Sequence, residues 1–135
     1  MRSAIVTAAA LLIAGCAATP EQIASDQAEA AKDFATATKG RVAGKPQQCI
    51  ENIGVDGPQI IGNDRLIYRQ GGKRIWVTQL RSECPGLRPQ DSIIIAEVFG
   101  GQTCRNDRFR VVQRGNTIPG AYCFFGDFVP YDRAE

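Results

Sequence analysis

Four cysteines, Cys49, Cys84, Cys104 and Cys123, run through a stretch dense in glycine and β-branched residues, and they limit the folds open to this chain more than any other feature. A fifth, Cys16, stands apart at the end of an apolar run. In an exported chain an even number of cysteines reads as two disulfides, because the compartment is oxidising. A four-thiolate zinc site is the rival. No pair has the C-x₂-C spacing that such sites favour, so no metal is expected.

Whether the chain is exported therefore decides how these thiols are read. Met1-Arg2 is a short positive start, and Ala4 to Ala14 forms an apolar run of signal-peptide length, too short to span a bilayer. Leu12-Ile13-Ala14-Gly15-Cys16 has the form of a lipobox, the site at which bacteria cleave a signal peptide and acylate the new N-terminal cysteine. An ordinary secretory signal is the alternative, with Ala17-Ala18 as its small residues. On the lipobox reading, residues 1–15 are removed and Cys16 carries several acyl chains. Each buried CH₂ contributes about 0.8 kcal/mol, so two or three chains hold firmly where one does not. Ala17, rather than Asp, beside the lipidated cysteine resembles the sorting rule for the outer membrane, with the domain facing the periplasm.

The segment 16–40 reads as a helical tether. Thr19-Pro20-Glu21-Gln22 is a capping box with proline at the first helical position, the following residues are good helix formers, and Gly40 is a natural stop. Its apolar stripe, Ile23, Ala30, Phe34 and Ala37, is thin, which favours a semi-rigid spacer over a docked helix.

From Arg41 to Glu135 the pattern is that of short strands. Expected strands are 48–53, 65–70, 73–80, 92–99, 105–114 and 121–129, with Gly71-Gly72 as the strongest hairpin signal. Gly54 to Pro58 reads as a turn. Ser92 to Phe99 is apolar on both faces and is expected in the middle of a sheet. The fold class is thus mainly β: a small antiparallel β-barrel or curved meander of about six strands, preceded by the tether. If consecutive strands alternate in direction, Cys49 and Cys104 lie at one end and Cys84 and Cys123 at the other, which pairs them accordingly.

Histidine is absent, which removes the commonest general base and metal ligand, and the charge is nearly balanced at +2 overall. No cofactor and no nucleic-acid partner is implied. Across a two-residue Gly71-Gly72 turn, Tyr68 would face Ile75 and Leu66 would face Val77, leaving Arg65, Ile67 and Arg69 opposite Thr78, Trp76 and Arg74 on the other face. Arg69, Arg74 and Trp76 are therefore the candidate binding residues, since a tryptophan bracketed by guanidiniums suits carboxylate or phosphate. Packing of Trp76 and Ile67 beneath the helix, with the arginines as a solvated rim, is the plainer alternative. Arg105, Arg108, Arg110 and Arg114, interleaved with Phe109, read as a solvated strand face. Asp91, Glu97, Asp107 and Asp127 are the carboxylates that a hydrolase would use, but their spacing pairs none of them over a cleft.

The order Arg41-Val42-Ala43-Gly44, Cys49-Ile50, Arg74-Ile75-Trp76, Cys84-Pro85-Gly86-Leu87, Phe99-Gly100-Gly101, Cys104-Arg105-Asn106-Asp107 and Gly126-Asp127-Phe128-Val129-Pro130 resembles an uncharacterised family of small proteobacterial lipoproteins, a domain of unknown function. The resemblance implies the domain and its lipid anchor and assigns no site residues. The expectation is a non-enzymatic envelope lipoprotein that contacts another envelope component. A small-ligand or glycan-binding barrel is the alternative, and a carboxylate hydrolase comes third.

Overall fold

The computed structural model describes residues 17–135; Cys16 and the expected signal peptide lie outside them. The helix α1 (Pro20–Thr38) opens on the expected capping box, with Gln22 N–H donating to the Thr19 hydroxyl and Thr19 N–H donating to the Gln22 amide oxygen. Gly40, at φ +69°, takes the left-handed conformation that releases the chain from the helix.

Ten strands follow: β1 (Arg41–Ala43), β2 (Cys49–Glu51), β3 (Val55–Ile61), β4 (Arg65–Gln70), β5 (Arg74–Gln79), β6 (Ser92–Glu97), β7 (Gln102–Cys104), β8 (Arg108–Gln113), β9 (Tyr122–Phe124) and β10 (Phe128–Arg133). They form three antiparallel sheets, in the orders β1-β10-β5-β4-β3, β2-β7 and β6-β8-β9. The fold is mainly β with two disulfides, but none of the three sheets closes on itself, so the expected barrel or single meander is replaced by separate sheets packed together. Long-range pairing is the reason. After the β3-β4-β5 meander the chain leaves for a second sheet, and β10 returns to pair with β5, with Phe128 opposite Thr78 and Asp132 opposite Arg74.

The stretch expected to be a turn at Gly54 to Pro58 is instead largely strand. β3 is an edge strand with a bulge between Asp56 and Gln59, which accommodates Gly57 and Pro58 without requiring an N–H from proline.

The disulfides join Cys49 to Cys104 and Cys84 to Cys123, the pairs drawn from the sequence, although the topology behind them is different. Cys49 and Cys104 are direct register partners across β2 and β7. Cys84, after β5, meets Cys123 of β9 inside the core. With partners 55 and 39 positions apart in sequence, each contributes about 4 kcal/mol in the chain-entropy account.

Two apolar layers result. The larger core lies between the five-stranded and three-stranded sheets and contains Leu66, Trp76, Phe109, Phe125, Phe128 and the Cys84–Cys123 bridge. The second lies on the opposite face of the large sheet, where Ile61, Ile67, Ile75 and Val77 are covered by Ala30, Phe34 and Ala37 of α1. The helix is therefore docked rather than standing off as a spacer. Phe34 anchors it, packing edge-on to Tyr131 and beneath the Arg65 guanidinium. Only Ile23 of the predicted stripe is left in solvent.

Candidate functional site

The β4-β5 hairpin decides where the candidate binding residues go. Its turn has three residues, Gly71 to Lys73, so Gln70 rather than Arg69 stands opposite Arg74, and Arg69 faces Ile75. The register is one step from the expected one, and one step exchanges the faces of the partner strand. Trp76 consequently sits opposite Tyr68 on the inner face, only 5% exposed, with its indole N–H donating to the Gln70 amide oxygen at 2.8 Å. Ile67 packs under the helix and Trp76 does not, which corrects the plainer reading as well.

Arg69, Arg74 and Trp76 thus do not make one patch. Arg74 lies on the Trp76 side and forms a fork with Asp132 at 2.7 and 2.8 Å, while stacking over the indole at 5.1 Å. The hydrogen bonds from Arg74 hold the Asp132 carboxyl below the usual aspartate range. Its charge is already satisfied within the fold.

Arg69 points to the helix side instead. There it borders a groove of ≈ 600 Å³ formed where the C-terminal half of α1 crosses the sheet. The lining brings together Lys39, Arg41, Arg69 and Arg133, with Asp33 as the sole acid. Arg41 and Arg133 are direct register partners of β1 and β10, an opposed like-charge pair of the kind expected at Arg69 and Arg74. Arg69 donates to the Gln59 amide oxygen at 2.6 Å, and Arg41 donates to the Lys73 and Tyr131 carbonyls. Among the described residues, none of the four cations forms a salt bridge. The groove therefore carries a net positive charge, offset in part by Asp33, by Asp132 near Arg41 and by the partial negative charge of the α1 C-terminus. Its guanidiniums present planar donor forks that suit carboxylate or phosphate oxygens. Sequence reasoning reached Arg69 alone, because the other members come from positions scattered between Asp33 and Ala134.

Three of the four carboxylates considered for catalysis, Glu97, Asp107 and Asp127, have separate structural partners. Glu97 accepts from Arg108 and from the Tyr122 hydroxyl, which together keep its pKa low. Asp107 accepts from the Cys104 backbone N–H, and Asp127 pairs with Arg105 at 3.2 Å. The Asp91 backbone carbonyl receives the Arg114 N–H. The arginine strand is engaged as well: Arg108 and Arg110 both stack on Tyr122.

A family model matches residues 1–134 of the chain. The chain belongs to a family of unknown function, DUF6491. No curated protein and no solved structure matches it.

Proposed function

We propose that this member of the family is a non-enzymatic binding module of the bacterial envelope, held in the outer membrane by lipid on Cys16 and receiving an acidic group of another envelope component in the groove of Lys39, Arg41, Arg69 and Arg133. One observation carries the reading. Four cations line one groove without a salt-bridge partner among the described residues, two of them directly opposed across a strand pair, and an anionic ligand relieves that repulsion.

The position of the groove fits an anchored protein. A helix of nineteen residues is about 28 Å long, and the groove lies at its C-terminal end, away from the end that leads to Cys16. The ligand site then faces away from the lipid and toward the compartment that the protein searches.

In-cell photocrosslinking from a reactive amino acid at Lys39 of the full chain tests this, with the same residue at exposed Glu83 as the control. A discrete adduct from position 39, absent from position 83 and lost in the double variant Arg69→Glu, Arg133→Glu, is expected. Equal capture from both positions, or capture that survives charge reversal, would overturn the reading.

A further inference from the structure

Ser92 to Phe99 was expected at the centre of a sheet because both its faces are apolar. β6 is instead the outer strand of the three-stranded sheet, paired only with β8. Ile93 and Ile95, on its outer face, are 48% and 46% exposed, and Phe99 beyond its end is 83% exposed. Among the described residues, no backbone hydrogen bond from another segment reaches its free side.

Every other sheet edge is blunted. β3 carries a bulge and Pro58, and β1, β2, β7 and β9 have three residues each. β6 has six residues, no bulge and no proline, and no charge from Ser92 to Ala96. Its outward edge is therefore open to a further strand, and the fold supplies a neighbour on the other edge alone.

We propose that the missing neighbour is β6 of a second copy, paired antiparallel across a two-fold axis to make a continuous six-stranded sheet. Charge is the argument for a copy. An isologous contact brings identical residues together, so any charge near the axis meets itself. β6 has none there, and Glu97 at its end is paired with Arg108 and accepts from the Tyr122 hydroxyl. A register with Ile95 facing its own counterpart also keeps Asp91 from standing opposite Glu97. The groove of Lys39, Arg41, Arg69 and Arg133 would repel its copy, and it lies on the far side of the large sheet, where it stays open in the dimer.

The test uses the purified full chain under mild oxidation and by analytical ultracentrifugation. Ile95→Cys should give a disulfide-linked dimer on a non-reducing gel, whereas Val42→Cys, exposed on the other sheet, should not. The wild-type chain should sediment as a dimer. Ile95→Lys should sediment as a monomer with an unchanged circular dichroism spectrum, because Ile95 is half exposed and its loss leaves the core intact. A monomeric wild-type chain, equal crosslinking at positions 42 and 95, or a dimer that persists in Ile95→Lys would overturn the proposal.

Discussion

The two larger sheets of this domain share one core and differ in what covers their outer faces. The five-stranded sheet is buried on both sides, by the other sheets and by α1, and its central strands β4 and β5 have apolar residues on both faces. The three-stranded sheet is buried on one side and bare on the other, although β6 has the same double-sided composition. Composition on both faces therefore does not by itself ensure that a strand is covered on both. In the first sheet the cover comes from within the chain. The second sheet lacks such a cover among the described residues.

The sharpest way to break this arrangement is at the crossing between the sheets. Gly126 lies between β9 of the small sheet and β10 of the large one, and a Cβ there would collide with the Gln79 carbonyl oxygen. The obstacle is backbone on a central strand and cannot swing aside. Gly126→Ala should cost more than about 3 kcal/mol, a size associated with backbone strain and overpacking. Chemical denaturation should give a sharply lower midpoint or no folded protein; an unchanged midpoint would mean that the crossing has slack.

A smaller and more discriminating effect separates the two apolar layers. Phe109 is fully buried between the sheets, against Phe125 at 4.7 Å, so Phe109→Ala should cost about 3 to 5 kcal/mol. Phe34 is half-buried under the helix, and Phe34→Ala should cost about 1 to 2 kcal/mol, roughly half the value for full burial. The Phe34 variant should also lose hydrogen-exchange protection in α1 while the sheets keep theirs. Equal losses throughout would show that helix and sheets unfold as one unit.

What could be read from the sequence divides along the same line. Local chemistry was legible: the Thr19 capping box, the Gly40 stop, the β4-β5 hairpin and the strand-rich character of the domain. Features set by distant partners were not. β1 is three residues long and exists because β10 returns to it, and Gly57-Pro58 reads as a turn until a bulged edge strand is known to receive it. The hairpin register turned on whether its loop holds two residues or three, and that single residue moved Trp76 from the supposed binding face into the core. Of the groove, only Arg69 was in view, because Arg41 and Arg133 become neighbours only when β1 pairs with β10.

The smallest expected effect compares the ion pairs of the two sheets. Asp132 on the large sheet and Glu97 on the small one are both held below their ordinary pKa values, chiefly by hydrogen bonds from Arg74 and Arg108 respectively. For a carboxyl depressed in the folded state, the unfolded chain binds the proton first as pH falls. The contribution is therefore complete above the unfolded value of about 4 and is lost as pH drops through the folded one. Both pairs are exposed and screened by solvent, so stability should be flat between about pH 5 and 8 and fall only in the acid limb. Asp132→Asn and Glu97→Gln should each make that limb shallower in urea denaturation series. Glu97 also accepts from Tyr122, whose ring carries the Arg108 and Arg110 stacks, so Glu97→Gln should in addition loosen β9, seen as faster exchange of its amide protons. Asp132 ties two strands of a sheet that is covered on both faces, and Asp132→Asn should leave exchange there unchanged. If both variants behave alike, the cover over a sheet does not determine how much its exposed ion pairs matter.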